Sequence, residues 1–205
     1  YNTATGSSAL RHNSGDYNTG TGSRALYNNY ENRNTATGYE ALLNNTSGWG
    51  NTSMGYQTLY YNVSGFNNTA IGYNAQVKTL NGDNQVRIGD TNVSYAGIQV
   101  AWDVTSDKRW KENIRMLPYG LDVLKQLKPV DSVRKNNDNK TREMGFIAQE
   151  VKALLIKVGY ADQGFLHRED KDFMSLRYND FTGLNTKAIQ EQQDISEKHN
   201  NKKET

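Results

Sequence analysis

Asn-Thr recurs at a near-constant step through the first third of the chain, and that recurrence limits the fold more than any other feature. The pairs are Asn2-Thr3, Asn18-Thr19, Asn34-Thr35, Asn51-Thr52 and Asn68-Thr69, at steps of 16, 16, 17 and 17 residues. Three residues after each Thr stands a Gly: Gly6, Gly22, Gly38, Gly55 and Gly72. Small-apolar pairs keep the same phase at Ala9-Leu10, Ala25-Leu26, Ala41-Leu42 and Thr58-Leu59, and the pattern decays at Ala75-Gln76. A second turn signal falls between copies, as in Asn13-Ser14-Gly15, Thr46-Ser47-Gly48 and Val63-Ser64-Gly65.

A period of 16–17 residues is too short for a helical-hairpin repeat. It suits one coil of a β-solenoid, in which Thr, Tyr, Val and Ile occupy short strands and Asn-Gly or Ser-Gly steps make the turns. One coil offers two or three small inward side chains and cannot bury a core, whereas stacked coils can. Stacked Asn side chains can also hydrogen-bond along the axis. The copies resemble the β-roll repeats of trimeric surface-adhesin heads and phage tail fibres, whose common form Asn-Thr-Ala-x-Gly-x-x-Ala-Leu is met by Asn34 to Leu42. That resemblance covers residues 1–77 and implies a trimeric fibre.

Charge separates this part from the rest. Residues 1–105 hold 5 Lys+Arg and 6 Asp+Glu, residues 106–205 hold 19 and 16, and Asn runs the other way at 17 against 8. Three segments follow: the repeat at 1–77, a β-rich neck at 78–105, and a charged module at 106–205. In the neck, Gln85–Gly89 and Gly97–Trp102 alternate apolar and polar residues and read as strands around Asp90-Thr91-Asn92. In the module, the pattern predicts a helix over Tyr119–Leu127 ended by Pro129, then strands at Val130–Val133 and Glu143–Ala148 around a polar hairpin, Lys135–Thr141. A helix follows over Gln149–Val158, then a short β element within Phe165–Leu176. A C-terminal helix carries Phe181, Leu184, Ala188 and Ile195 at heptad spacing, with Glu191 interrupting the seam. Residues 196–205 are polar and expected to fray.

Composition excludes several functions. Apolar residues make up 35% of the chain, below the usual 45–50% or so, so one large core is not expected. The net charge of +2 gives no field to hold nucleic acid or anionic lipid. There is no Cys, hence no disulfide framework, Cys-ligated zinc or thiol catalysis. No apolar run is long enough for membrane insertion. His12, His167 and His199 are scattered, so no metal is expected, and no motif implies another cofactor. The chain opens at Tyr1 rather than Met and reads as a piece of a longer protein.

Two features of the repeat bear on binding. Tyr17, Tyr27, Tyr30, Tyr39, Tyr56, Tyr60, Tyr61, Tyr73 and Trp49 offer rings that either stack on a host-surface glycan or pack between coils, and packing is the more usual role. The Asn-x-Ser/Thr triplets at Asn44, Asn45, Asn51, Asn62, Asn67 and Asn92 follow automatically from an Asn/Ser/Thr-rich repeat. A glycan-degrading site needs paired carboxylates, and Asp16, Glu31, Glu40, Asp83, Asp90 and Asp103 do not pair at one repeat phase.

The charged module opens with Ser106-Asp107-Lys108-Arg109-Trp110-Lys111-Glu112-Asn113-Ile114. A Lys serves as general base for a Ser nucleophile when its ammonium is desolvated, but Ser106 and Lys111 five residues apart are weak evidence on spacing alone. The run Ser-Asp-x-Arg-x-Lys-x-Asn-Ile resembles the opening of the peptidase S74 family, the self-cleaving intramolecular chaperone of phage tailspikes and tail fibres. Further blocks follow in the family's order: Leu121–Val130, Gly145-Phe146-Ile147-Ala148-Gln149-Glu150-Val151, and Leu176–Phe181 with Ala188–Gln192. The resemblance implies a small α+β chaperone domain that assembles a homotrimer and is released by cleavage at Thr105–Ser106. It implies Ser106 as nucleophile and Lys111 as base, in a virion tail fibre or bacterial surface fibre. Asp107, Arg109 and Glu112 are candidates to orient Lys111, beside their plainer reading as a solvated charged face. The alternative is a non-catalytic adhesin tip that binds a glycan or protein receptor.

Overall fold

The computed structural model describes residues 1–135, 140–160, 166–168 and 174–203, and the chain divides into two compact units, Tyr1–Ala96 and Gly97–Thr205. The first unit is the expected β-solenoid. Its strands are β1 (Thr3–Thr5), β2 (Thr19–Thr21), β3 (Thr35–Thr37), β4 (Thr52–Met54), β5 (Thr69–Ile71) and β6 (Val86–Ile88), and they form one parallel sheet in chain order. Thr3, Thr19, Thr35, Thr52, Thr69 and Val86 lie in register, one per coil. The repeat seen in sequence is therefore the pairing register, and about five turns stack. The segment around Gln85–Gly89, read from sequence as a strand of the neck, forms β6 and continues the stack.

Each coil turns at a Gly that nothing else replaces. Gly6, Gly22, Gly38, Gly55 and Gly72 have φ between +116° and +137°, a region that L side chains rarely adopt. A Cβ on Gly38 would stand 2.3 Å from the carbonyl oxygen of Gly55 in the next coil. Just past this corner the backbone turns left-handed twice more in each of the first four coils, for example at Arg24 and Leu26 or Glu40 and Leu42. The pair aims successive N–H groups in opposite directions along the axis. Arg24 N donates back to Ser7 O at 2.9 Å, and Leu26 N donates forward to Ala41 O at 2.9 Å. Leu26, Leu42 and Leu59 from this position are fully buried and, with Ala25, Ala36, Ala41 and Ala70, make the narrow core.

Two columns of Asn hold the coils in phase. In the first, the side-chain oxygen of each Asn accepts the backbone N–H of its counterpart one coil on: Asn2 from Asn18, Asn18 from Asn34, Asn34 from Asn51 and Asn51 from Asn68, at 2.8–2.9 Å. In the second, side chains bond directly: Asn29 Nδ2 to Asn13 Oδ1 at 2.7 Å, Asn45 to Asn29 at 2.8 Å and Asn62 to Asn45 at 2.8 Å. The change of step from 16 to 17 is absorbed just after this second column. Asn29 Nδ2 reaches the carbonyl of Glu31, two residues on, whereas Asn45 reaches that of Gly48, three residues on. The extra residue thus lengthens one corner and leaves the strands and both columns in register. Asn62 Oδ1 ends its column buried and unpartnered, because the next coil has Thr79 at that phase.

The second unit has a separate small core. Helix α1 (Leu121–Leu124), the antiparallel pair β7 (Val130–Val133) and β8 (Arg142–Gly145), helix α2 (Ala148–Lys157), the antiparallel pair β9 (Leu166–Arg168) and β10 (Met174–Leu176), and helix α3 (Phe181–Asn201) follow in order. Val123, Val151, Leu154, Leu155, Phe181 and Ala188 are buried. Most of the predicted hairpin Lys135–Thr141 lies outside the described residues. Part of the heptad stripe on α3 is used within the chain: Phe181 and Ala188 are buried while Ile195 stays exposed, α1 packs on α3, and Glu191 accepts the Leu121 N–H at 2.8 Å. The apparent flaw in the seam is thus a carboxylate that satisfies a free donor at the start of α1.

Two expectations are corrected. Gly97–Trp102 forms no strand, because its alternating side chains meet no neighbouring strand among the described residues; Trp102 is 74% exposed. The C-terminal helix runs to Asn201 rather than fraying from residue 196. Gln193 Nε2 bonds Glu197 Oε1 at 2.8 Å and Ser196 Oγ bonds Gln192 O at 3.0 Å, while Lys198 and His199 sit in the last turn, where positive charge is favoured.

Removing one rung of the inner column should weaken the stack. Asn45→Ala is expected to cost about 1–3 kcal/mol through lost buried hydrogen bonds, and Gly38→Ala to prevent coil stacking. Thermal unfolding followed by circular dichroism checks both, with the exposed Asn92→Ala as control. Wild-type melting of Asn45→Ala and Gly38→Ala would contradict the assignment.

Candidate functional site

Ser106 and Lys111 flank the 3₁₀ turn Lys108–Trp110. Asp107 opens this turn by accepting the Arg109 N–H at 2.8 Å, and Lys111 N closes it on Lys108 O at 3.1 Å. The reversal returns Lys111 to the start of the segment, where its Nζ donates to Ser106 Oγ at 2.7 Å. A five-residue spacing becomes a direct contact because one turn lies between the two residues. Both side chains are exposed in the single chain.

The other candidates are placed as follows. The Arg109 guanidinium contacts both oxygens of Asp107, with Nη2 at 2.6 Å from Oδ2. Asp107 and Arg109 are therefore spent on each other and on the turn, and neither contacts Lys111. Arg109, first through its side chain and then through its backbone N–H, holds the Asp107 carboxyl below its usual value. Asp107 in turn raises the Arg109 guanidinium above its own. Glu112 makes no hydrogen bond or ion pair with another described residue. Thr105 is exposed in a stretch without regular secondary structure.

Ser106 and Lys111 open on a cavity of about 590 Å³ with a largely apolar floor that includes Leu117, Val123, Leu155 and Leu184. Tyr119 and Tyr160 close one side, ring edge on ring face at 5.0 Å. Arg177, Asn179 and Asp180, from the turn leading into α3, close another. Sequence reasoning did not single out these last three as site residues. They lie about 70 residues from the dyad, and no spacing signals a contact made by tertiary packing.

On the solenoid, most of the candidate glycan-binding rings pack against a neighbouring ring, while Tyr30 stays exposed without one among the described residues. Tyr39, Tyr56 and Tyr73 form a column with centroids 5.3 and 5.2 Å apart, and Trp49 stacks on Phe66 at 4.8 Å. Tyr17 stacks on Tyr1, Tyr60 meets Tyr61 edge-on, and the guanidinium of Arg24 lies over Tyr27 at 5.2 Å. Most ring faces are thereby turned toward the next coil. Among the described residues no group of His, Asp and Glu is placed to hold a metal ion, and no helix is long and apolar enough to cross a membrane.

Residues 106–160 match the family model peptidase S74, described as the chaperone of endosialidase. The matched segment starts at the serine that Lys111 contacts and runs through α2. The blocks Leu176–Phe181 and Ala188–Gln192 lie beyond it. No curated protein and no solved structure matches the chain.

The Asp107–Arg109 pair sets a pH expectation. A carboxyl held low keeps its pairing above the ordinary carboxylate range and loses it as pH falls through the lowered value. In an NMR titration Asp107 should titrate below the ordinary range of an aspartate carboxyl, and Arg109→Ala should move it upward. An Asp107 that titrates alike in both proteins would contradict the pairing.

Proposed function

We propose that residues 106–205 are an intramolecular chaperone that guides the solenoid into a homotrimer and then separates from it by cutting the Thr105–Ser106 bond. The chain is then a segment of a phage tail fibre or related surface fibre. The observation that supports the cleavage most directly is the 2.7 Å contact between Lys111 Nζ and Ser106 Oγ, in a segment whose family match begins at that serine.

The chemistry uses few parts. Ser106 Oγ attacks the carbonyl carbon of Thr105, and its proton passes to Lys111 Nζ. The tetrahedral intermediate collapses by breaking the C–N bond, with Lys111 returning the proton to the Ser106 amine. The acyl group then sits as an ester on Ser106 Oγ. Water hydrolyses that ester, leaving a Thr105 carboxylate and a new N-terminus at Ser106. Nucleophile and carbonyl belong to neighbouring residues, so the attack has the advantage of an intramolecular reaction, where effective molarities reach about 10⁵–10⁸ M. One turnover per chain suffices, and a modest catalyst meets that need.

Unpartnered apolar surface supports assembly. Trp102, Val104, Trp110 and Met116 are each more than two-thirds exposed in the single chain, and Met54, Ile71 and Ile88 form an exposed row along the sheet. Such surface marks interfaces. Lys111 is also solvated in the single chain, whereas a Lys base acts when desolvated. Burial of this segment by neighbouring chains would tie cleavage to completed assembly.

On a denaturing gel the purified chain should run as fragments of about half the intact 23.1 kDa, one of them beginning at Ser106 by N-terminal sequencing. Ser106→Ala and Lys111→Ala should stay intact, and light scattering on uncut Ser106→Ala should give the mass of three chains. A new end elsewhere, or full cleavage of Ser106→Ala, would refute the dyad. A monomeric Ser106→Ala protein would refute the trimer.

A further inference from the structure

The bond proposed for cleavage is bracketed by one element. Ser106, on its carboxyl side, shares the cavity of about 590 Å³ with Arg177, Asn179 and Asp180. Val104, on its amino side, shares a second cavity, of about 420 Å³, with the same three residues. Thr105, whose carbonyl is attacked, stands between these two residues in the chain. When Ser106 Oγ bonds to the carbonyl carbon and the Oγ proton moves to Lys111, the carbonyl π pair shifts onto the oxygen. The oxyanion persists until the C–N bond breaks and the carbonyl re-forms, and it needs a hydrogen-bond donor while it lasts.

Chemistry selects among the three. Asp180 carries a carboxylate, which repels an oxyanion. The Arg177 guanidinium faces that carboxylate at 3.8 Å. The Asn179 carboxamide makes no hydrogen bond with another described residue and has two N–H groups to offer. Among the tyrosines of the larger cavity, Tyr119 donates its hydroxyl to Val158 O at 2.5 Å, and Tyr160 lines only the Ser106 side of the bond. Asn179 is also held in place. It is the middle residue of the 3₁₀ turn Tyr178–Asp180. That turn is fixed by Tyr178, whose ring stacks on Phe146 and Phe181 and whose hydroxyl accepts the Phe146 N–H at 3.1 Å.

Resting on the Ser106–Lys111 reading, we infer that Asn179 is the oxyanion donor for scission of Thr105–Ser106. The test is the first-order rate of fragment release in the full-length chain, with oligomer mass and thermal midpoint measured on each variant. Asn179→Ala should slow release about 10²-fold or more, the usual effect of losing one such donor. Asn179→Asp should be at least as slow, because it keeps the shape and adds a repelling charge. Asn179→Gln, which restores an amide, should recover part of the rate. Mass and midpoint should remain those of wild type. Release within about threefold of wild type in Asn179→Ala overturns this assignment alone, since Ser106→Ala remains uncut in that case. The assignment also falls if Asn179→Asp cuts faster than Asn179→Ala. A wild-type chain that stays intact, or a Ser106→Ala chain that cuts, overturns the dyad and the donor with it.

Discussion

The stack depends on hydrogen bonds that repeat from coil to coil, above all those of the two buried Asn columns. A coil with so few apolar residues has little hydrophobic surface to bury, and the core of Leu26, Leu42, Leu59 and a few Ala is narrow. Position along the axis is set instead by buried amides that must find partners. Each Asn binds its counterpart in the next coil, so a coil is satisfied only with a neighbour of the same phase. The left-handed residues after each Gly serve the same end, sending alternate N–H groups to the coil before and the coil after.

The same chemistry creates the problem that the second unit is suited to solve. The rungs repeat closely, so in the proposed trimer sliding one copy past another by a coil would change few contacts beyond those at the ends. The module from residue 106 onward has no internal repeat. Its contacts are particular: Glu191 on the Leu121 N–H, Tyr178 on Phe146, Tyr119 on Val158. A unit with one way to pack can fix a phase that the repeat leaves open. Non-local stacking of this kind is slow to form. On the proposed function it would then persist behind a kinetic barrier after its guide had left.

What could be read from sequence followed from locality. The Asn-Thr and Gly period became the strand register, and Lys111 met Ser106 because the intervening residues make one turn. The helix of α2 and the strands β7 and β8 also followed from local pattern. Gly97–Trp102 has the alternation of a strand, but a strand requires a partner and none stands beside it among the described residues. Glu191 looked like a defect in a heptad seam and is a cap for another helix. Arg177, Asn179 and Asp180 reach the dyad only through packing, which no spacing records.

The central claim is that the second unit guides assembly of the first and is then dispensable. The direct measurement compares residues 1–105 expressed alone with the same segment matured from the full chain, by light scattering and circular dichroism before and after denaturation. The segment made alone should aggregate or stay unfolded. The matured segment should be a soluble trimer that does not refold once denatured. Efficient formation of that trimer by residues 1–105 alone would contradict it, whether or not the Thr105–Ser106 bond is cut.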